Sequence, residues 1–427
     1  MAEQMPRRHF LEGTAALGLA AILASGQRLR AQAVQVSEDD ELPPEPVTLG
    51  LIGAGIWGKE LLRVGMNLPN VSVPVVCDSA DTEQSKVEAV APQAKFVADY
   101  KAVLDDPSIN GVLIATPTYL HRDIVLEALA AGKHVYCEAP LAVSRDDLTA
   151  IATAARDTDL VFQPGLQRRC HPLSRRVKAA AVDGSIKQAV VMRSQSRQRV
   201  NWMRPGATEE RARERSWQAY SETSLGPVGE LGIHQIDLAI YWLGARPQSL
   251  TASGVQTTWQ DDGWEVPDTA FTNMNFAGGV PAMLESSVAS SHWGNSDELV
   301  GTDATILVRD NGAQSIGYLF KEPSSPAAGW EVYAKKADML NEMGILLFAT
   351  PPGGFSIDDL EKNHLPVEEP LYYALGSFAK RIITGDRPLV NWQRAYEANL
   401  VAIAAAEAAA AGDAEAVTFA ADDFKLA

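Results

Sequence analysis

The stretch Val47–Glu60 reads VTLGLIGAGIWGKE and decides the fold of the N-terminal half. An apolar run, Val47–Ile52, passes through a turn with the spacing G-x-G-x-x-G into helix-forming residues. A strand, this turn and a helix in that order are typical of dinucleotide-binding folds, in which the second glycine lets the backbone approach a pyrophosphate. The residues of the turn that we predict to contact a cofactor are Gly53, Gly55, Ile56, Trp57 and Gly58.

The next acidic signal is Asp78, which follows Gly58 by 20 positions and comes directly after a second apolar run, Val71–Cys77. A carboxylate in this position accepts hydrogen bonds from a ribose 2′-hydroxyl and repels a 2′-phosphate. The sequence therefore predicts an NAD(H) site.

Composition narrows the function classes. The chain has 427 residues, 46% of them hydrophobic, which is enough for two or three globular domains. Its formal net charge of −17 argues against nucleic-acid binding and against attraction to an anionic membrane surface. The three cysteines contain no C-x-x-C pair and the seven histidines show no metal-ligand spacing, so we expect no metal.

The first 33 residues resemble a twin-arginine export signal. Arg7-Arg8-His9-Phe10-Leu11 is followed by a weakly apolar stretch, Gly13–Gly26, and by an A-x-A cleavage motif at Ala31-Gln32-Ala33. We therefore expect an exported, periplasmic protein with a linker over residues 34–46. The apolar stretch is too short and too rich in Gly and Ala for a stable membrane anchor. A disordered tail is the alternative.

Residues 47–165 alternate apolar strands with helical patterns, which predicts a Rossmann-type, doubly wound parallel sheet. Ser144 and Asp147 form a predicted capping box at the start of one of its helices. Ligands bind beyond the carboxyl ends of the strands in such folds, so Thr116–His121 and Glu138–Pro140 should line one crevice with the glycine turn. The other predicted strands are Lys95–Val97, Gly111–Ala115, Lys133–Glu138 and Leu160–Gln163.

Residues 166–427 predict an α+β domain with a large open antiparallel sheet and late helices at Leu371–Thr384 and Trp392–Ala411. Hairpin turns are expected at Ala277–Gly279 and Asp310–Gly312, and loops at Ser324–Pro326 and Thr350–Gly354. The predicted strands are Gln188–Arg197, Ser249–Thr258, Thr269–Phe276 and Ala282–Ala289.

Taken together, these motifs resemble the Gfo/Idh/MocA oxidoreductases. The resemblance rests on the glycine turn, Asp78, Thr116-Pro117-x-x-x-His121, and the run from Ala131 to Glu138-x-Pro140. It implies a Rossmann domain that binds NAD(P), a second domain whose open sheet often forms oligomers (here a homodimer or homotetramer), and carbohydrate substrates. It also implies cofactor contacts for Thr116, Pro117, His121, Glu138 and Arg168.

One residue departs from the family pattern. The family usually has Glu-Lys-Pro where this chain has Glu138-Ala139-Pro140, and its lysine assists proton transfer. An alanine can neither donate a proton nor stabilise an alkoxide. Either the chemistry rests on other groups, or the ordinary dehydrogenase activity is altered or absent.

The segment Gly229–Leu243 is the best source of such groups. On one continuous helix, Glu230, His234, Asp237 and Tyr241 would share a stripe roughly 60° wide. We predict that His234 is the acid/base and that Glu230 orients it, with Asp237 and Tyr241 contacting substrate. A solvated helix face with a structural His–Glu contact is the alternative.

Arg199 and Trp202 place a guanidinium near an indole, which suggests a sugar subsite, although a loop tryptophan that fills a domain junction explains the pattern nearly as well. Arg169 is either a further ligand contact or a surface charge. The leading function is an exported NAD(H)-dependent oxidoreductase of sugars or polyols with a tightly held cofactor. Redox-neutral sugar cleavage or elimination and non-catalytic sugar or nucleotide binding are the alternatives.

Overall fold

The computed structural model describes residues 42–310, 315–321, 329–335, 345–350, 369–412 and 415–426. The predicted export signal and the predicted turn or loop residues at Asn311-Gly312, Ser324–Pro326 and 351–354 lie outside these residues.

The first sheet has six parallel strands in the order β3-β2-β1-β4-β5-β6. This arrangement confirms the predicted doubly wound sheet. Leu49, Leu51 and Leu113 are fully buried, because helices cover both faces of the sheet. The strands are β1 (Val47–Ile52), β2 (Val71–Cys77), β3 (Lys95–Val97), β4 (Gly111–Ile114), β5 (His134–Glu138) and β6 (Phe162–Gly165).

The helices of this half begin where the sequence places polar caps or turns. Ser144 caps its helix by accepting a hydrogen bond from the Asp147 backbone N–H at 3.2 Å, and its hydroxyl donates to the Asp147 carboxylate. Strand β6 begins two residues later than predicted, because the Leu160 N–H is held in a turn by the Thr158 hydroxyl. The helices are α1 (Ile56–Asn67), α2 (Gln84–Val90), α3 (Lys101–Leu104), α4 (His121–Ala130) and α5 (Arg145–Arg156).

The second sheet has ten strands in the order β15-β14-β13-β12-β11-β7-β10-β9-β8-β16. The predicted large antiparallel sheet is confirmed except at one place, where β7 and β10 pair in parallel and make the sheet mixed. The chain between these two strands crosses over through helices and a hairpin, as a parallel pair requires. The strands are β7 (Ala189–Arg199), β8 (Pro247–Val255), β9 (Thr269–Phe276), β10 (Pro281–Ser287), β11 (Ala289–Gly301), β12 (Ala304–Asp310), β13 (Ser315–Lys321), β14 (Gly329–Lys335), β15 (Ile345–Thr350) and β16 (Val417–Thr418).

The predicted single helix Gly229–Leu243 is two helices. They are α8 (Gly226–Glu230) and α9 (Gly232–Leu243), and Leu231 between them has φ −110° and ψ −48°. Gly232 lies so close to β10 that a Cβ atom there would be 2.9 Å from the Ser286 hydroxyl. The new helix therefore starts where the backbone meets the sheet. The remaining helices are α6 (Pro172–Val182), α7 (Glu209–Arg215), α10 (Pro370–Thr384) and α11 (Trp392–Ala411).

The two C-terminal helices return to the first domain. Phe378 of α10 packs edge-on against Tyr136 of β5, with ring centroids 5.8 Å apart, and the Ala374 carbonyl accepts a hydrogen bond from the Gln163 side chain at 2.7 Å. Helix α11 is alanine-rich, which lets its backbone pack close to α5, α9 and β8.

The second sheet exposes large apolar side chains. Phe271 and Met283 are exposed large apolar side chains on neighbouring strands of the second sheet, and association through this sheet stays a prediction. Within the described part of the chain, no helix has the length and hydropathy needed to cross a membrane.

Asn399 of α11 joins the C-terminal helix to the backbone of the first domain, and its substitution tests this contact. Its side-chain oxygen accepts hydrogen bonds from the Leu141 and Ala142 N–H groups at 2.6 and 3.2 Å, and its amide donates to the Ala142 carbonyl at 3.0 Å. We expect Asn399→Leu to lower the free energy of unfolding by about 2–4 kcal/mol, because it leaves buried backbone groups unpaired. Urea unfolding measures this loss.

Asn275→Leu is the matched control, because Asn275 is exposed and makes one side-chain hydrogen bond, to Ser249. We expect a change within about 0.5 kcal/mol for the control. Equal losses in the two variants would contradict the role given to Asn399.

Candidate cofactor and substrate site

Each glycine of the 53–58 turn has its own steric reason. Gly53 has φ +93°, and a Cβ atom there would lie 2.7 Å from the Ala115 carbonyl and the Thr116 nitrogen. A Cβ atom on Gly58 would collide with the Gly53 carbonyl oxygen, whereas one on Gly55 would meet no atom within 4 Å. The open side of Gly55, at the N-terminus of α1, therefore leaves room for a pyrophosphate.

The flanking residues of the turn are exposed. Ile56 is 77% and Trp57 is 42% accessible, and the first turn of α1 contains no acidic residue. This end of the helix presents its N–H groups and the positive end of its dipole without a competing carboxylate.

Asp78 braces the same turn. One carboxylate oxygen accepts a hydrogen bond from the Ala54 N–H and the other accepts one from the Ala80 N–H, both at 2.8 Å. A carboxylate oxygen can accept more than one hydrogen bond, so Asp78 keeps acceptor capacity for the predicted ribose contact beside these two bonds.

His121 joins the loops that follow β4 and β5. The ring is buried, and its two nitrogens lie 3.0 Å from the Thr116 and Pro140 carbonyl oxygens. Burial lowers the pKa of His121 to about 4, so the ring is neutral at pH 7. A neutral ring has one N–H, so it donates to one of these carbonyl oxygens, and the other nitrogen lies against the second carbonyl. Both nitrogens therefore face the protein backbone, and His121 shapes the crevice. Pro117 precedes the short turn Thr118–Leu120.

Glu138 is a buried carboxyl at the carboxyl end of β5. It lies against Gly165, where a Cβ atom would be 2.5 Å from a carboxyl oxygen of Glu138. Burial raises the pKa of Glu138 to about 7, and the Trp57 indole and the Tyr136 hydroxyl oppose that rise. Ala139, beside it, is half-buried and brings no polar atom to the crevice.

The residues present fit a dinucleotide. Among the described residues, the Thr116 hydroxyl and one Glu138 carboxyl oxygen are buried without a hydrogen-bond partner. Native proteins rarely leave such atoms unpaired, which points to a ligand or water at this place. The Gly55 cradle would hold the pyrophosphate, Asp78 a ribose, and Thr116 and Glu138 the polar atoms farther along the cofactor.

His234 of α9 is the candidate acid/base on the substrate side. The residue is half-buried, and its Nδ1 atom is buried without a hydrogen-bond partner in the described structure. Burial and the nearby Arg168 charge lower the pKa of His234 to about 3. The imidazole is therefore a neutral group with a free nitrogen at physiological pH.

The predicted Glu230–His234 pair does not form. Glu230 belongs to α8, before the break at Leu231, and its carboxyl oxygens lie 3.3 Å from the Gln218 amide and the Ser224 hydroxyl. No hydrogen bond between Glu230 and His234 occurs in the described residues. Burial raises the pKa of Glu230 to about 7. The broken helix is the physical reason for the difference.

Asp237 has a partner that the sequence did not reveal. Its carboxylate forms a buried, two-point ion pair with the Arg169 guanidinium, with one N···O distance of 2.8 Å. Arg169 is 5% exposed, so the surface-charge interpretation is wrong. Asp237 is 1% exposed, so the substrate contact predicted for it is not supported. The Tyr241 ring lies 4.8 Å from the Arg169 guanidinium, and its substrate role stays a prediction.

Trp202 does not offer a sugar-stacking face. It is 3% exposed and stacks on Trp264, with ring centroids 4.9 Å apart and planes 8° apart. These two indoles form a small core with Ala219, Val266 and Val288. The alternative, a tryptophan that fills a junction, describes the structure. Arg199 is exposed and lies 6.0 Å from the Trp259 ring.

Asp297 of β11 is a residue that sequence reasoning missed. It is 1% exposed and ion-paired with Arg168. An acidic residue at an inward-facing position of an alternating strand is the signal that could have found it, because buried carboxylates are rare unless paired.

The glycines of the turn yield a paired prediction. We expect Gly55→Ala to weaken NAD binding by about tenfold or more, because the methyl group enters the space for the pyrophosphate, with the melting temperature unchanged. Gly58→Ala should lower both affinity and melting temperature, since its methyl group collides with the Gly53 carbonyl. Calorimetric titration with NAD and thermal melts check the two effects. Equal destabilisation by both substitutions would refute the separate roles.

Comparisons with known proteins agree with this geometry. The profile for the GFO_IDH_MocA oxidoreductase family, NAD-binding Rossmann fold, matches residues 47–166, and the profile for the GFO/IDH/MocA C-terminal domain matches residues 174–307.

Among curated relatives, levoglucosan dehydrogenase of Pseudarthrobacter phenanthrenivorans is 28% identical over 61% of this chain and 73% of its own length. The scyllo-inositol 2-dehydrogenase (NAD(+)) of Bacillus subtilis is 28% identical over 60% and 72%, respectively. The 2,7-anhydro-N-acetylneuraminate hydratase of Mediterraneibacter gnavus is 26% identical over 61% and 67%.

Solved structures share the fold. Levoglucosan dehydrogenase in complex with NADH superposes with a TM-score of 0.66 at 22% identity, covering 88% of this chain and 99% of that one. An oxidoreductase domain protein from Kribbella flavida gives 0.68 at 18% identity over 88% and 99%. With its NAD-binding Rossmann domain and the C-terminal domain that goes with it, the chain belongs to the Gfo/Idh/MocA oxidoreductase family.

Proposed function

We propose that this protein is an NAD(H)-dependent oxidoreductase that acts on a hydroxyl group of a sugar, a polyol or a sugar derivative. The observation that carries the proposal is the unpartnered, neutral His234 nitrogen on the helix that packs against residues 167–170, which follow β6. The crevice with the unpartnered Thr116 and Glu138 atoms lies at the same carboxyl edge of the sheet. The names of the levoglucosan and inositol dehydrogenase relatives support the substrate class.

Bound NAD(H) would supply the hydride acceptor or donor. The chain's own residues would bind and orient the substrate and remove the proton of its hydroxyl group. The His234 imidazole is neutral at pH 7 and its Nδ1 atom has no hydrogen-bond partner in the described structure, so the ring is not already protonated or occupied when a substrate hydroxyl must lose its proton. Glu138 and Glu230, whose pKa values lie near 7, are groups that can exchange a proton at physiological pH.

A second candidate is redox-neutral chemistry on an anhydro-sugar or glycoside. The absence of an amine at Ala139 is compatible with a route that differs from ordinary alcohol oxidation, and two relatives are named as 2,7-anhydro-N-acetylneuraminate hydratases. Transfer of a hydride from a substrate carbinol carbon to bound NAD would leave a carbonyl, which acidifies the neighbouring C–H bond and permits elimination. The hydride would then return to the product. No net NADH would form.

We further propose that the protein is exported with its nucleotide already bound. The twin-arginine-like segment Arg7-Arg8-His9-Phe10-Leu11 supports this, because that route carries folded proteins. A nucleotide that leaves the cytoplasm bound must be held tightly, since free NAD is scarce outside.

The first test is product analysis with His234→Gln. We expect the holoenzyme to form NADH from NAD and a member of a panel of inositols, aldoses and 1,6-anhydro-sugars. The variant should lose about 10²–10⁴-fold in kcat/KM, because the proton acceptor is gone, with NAD affinity unchanged.

Sugar conversion without net NADH would select the redox-neutral candidate. Turnover by His234→Gln at the wild-type rate would refute the role of His234. Failure of the wild type to convert any member of the panel, together with sugar binding, would favour a binding protein.

The second test concerns export. We expect the full chain to accumulate in the periplasm with bound nucleotide, and Arg7→Lys/Arg8→Lys to keep it in the cytoplasm, because the route reads the arginine pair. Cell fractionation followed by native mass spectrometry measures both. Equal periplasmic amounts of wild type and variant would contradict this route.

A further inference from the structure

We propose that Arg168, positioned by the buried Asp297, is the fixed cation of the reacting centre. It takes the electrostatic role that an amine at position 139 would otherwise fill. This inference rests on the proposed oxidoreductase function and deepens it.

The first observation is that two consecutive arginines point to two buried aspartates. Arg169 pairs with Asp237 of α9, and Arg168 pairs with Asp297 of β11. Asp237 lies one helical turn after His234, on the same face of α9. The pairing of Arg169 therefore fixes residues 167–170 against this helix and brings Arg168 to the level of His234.

The second observation is the support beneath Asp297. Its second carboxylate oxygen accepts a hydrogen bond from the Ser194 hydroxyl at 2.5 Å, and Ser194 accepts one from the Gln235 amide at 2.9 Å. The Gln235 oxygen in turn accepts a hydrogen bond from Ser286 at 2.6 Å. Gln235 is the residue after His234, so a continuous buried chain of hydrogen bonds ties Asp297 to the helix that carries the base.

The third observation is the spare donor capacity of Arg168. Asp297 is 1% exposed and the Arg168 side chain is 17% exposed, so the guanidinium lies between the carboxylate and the more open side. In the described structure its one hydrogen bond runs from Nη2 to Asp297. A guanidinium has five N–H donors, so most of them remain free for a ligand oxygen.

The surrounding charges leave Arg168 as the group that acts on His234. Asp237 is neutralised by Arg169 and Glu285 by Arg197, and burial raises the pKa of Glu230 to about 7. The Arg168 charge contributes to the lowered pKa of His234. The charged and titratable groups on the elements around His234 include Glu230, Asp237, Tyr241, Arg168, Arg169, Lys178, Arg197, Glu285, Asp297, Arg394 and Glu397.

The chemical consequence concerns one O–H bond. When the substrate O–H breaks, its proton would go to the His234 imidazole and the electron pair would stay on oxygen. The Arg168 charge would stabilise that alkoxide, although it disfavours the imidazolium on His234, and hydride transfer from the alkoxide carbon to bound NAD would then leave a carbonyl. Arginine cannot donate a proton at neutral pH, which separates charge stabilisation from proton transfer in this site.

The test uses the double variant Arg168→Gln/Asp297→Asn, which removes both charges and leaves no buried carboxylate without its partner. The matched control is Arg193→Gln/Glu298→Gln. Arg193 and Glu298 are the immediate neighbours of Ser194 and Asp297 on the same two strands, and they form an exposed ion pair with an N···O distance of 2.5 Å. Both proteins are prepared with NAD bound.

One readout does not need turnover. ¹⁵N-histidine NMR titration of the holoprotein should show that the pKa of the His234 ring rises by about one pH unit or more in the double variant, because the repelling charge is gone, and stays constant in the control. An unchanged His234 pKa in the double variant overturns the inference, whatever the enzyme's activity.

The second readout is kinetic. We expect kcat to fall about 10²-fold or more in the double variant, and little in the control, since Arg168 stabilises charge that develops in the transition state. Arg168→Gln alone should lower kcat, and adding Asp297→Asn should lower it little further, because Asp297 acts through Arg168. A double variant within about threefold of wild type overturns the inference while the proposed function stands. A wild type that oxidises no sugar refutes the proposed function, and the NMR readout then still decides the link between Arg168 and His234.

Discussion

The buried ion pair between Arg169 and Asp237 is the constraint on which the rest of the site depends. It joins the turn after the last strand of the Rossmann sheet to the helix that carries His234. Each charge alone would be costly to bury, so the pair holds only when both elements are in place. This one contact thereby aligns the carboxyl edge of the first sheet with α9, and it positions Arg168 and His234.

Much of the fold follows from local patterns. Val47–Ile52 and Thr269–Phe276 have the same bounds in the structure as in the sequence analysis, because a buried apolar run and a strict alternation are each local signals. The parallel pairing of β7 with β10 is not a local property, since it depends on the path of the chain between them. The break at Leu231 has the same kind of cause, because Gly232 meets a distant strand there.

The candidate site likewise contains residues that a local sequence pattern predicts and residues that it does not. The glycine turn and Asp78 are contiguous signals whose chemistry can be read from spacing, and the family relationship supports the NAD assignment. Asp297 and its link to Gln235 through Ser194 come from three separate segments, so no window of sequence contains them. Trp202 shows that local composition can mislead. An indole beside arginines is typical of a sugar site, but in the structure this indole stacks on Trp264 in a small core.

The return of the C-terminal helices to the first domain has a consequence for biosynthesis. Tyr136, Gln163 and the backbone at Leu141 obtain their partners from residues 374–399. The ribosome makes these segments last, more than 200 residues after the Rossmann strands have emerged. The first domain therefore completes its packing only when almost the whole chain has been translated. A nascent chain that lacks residues 374–399 lacks these contacts.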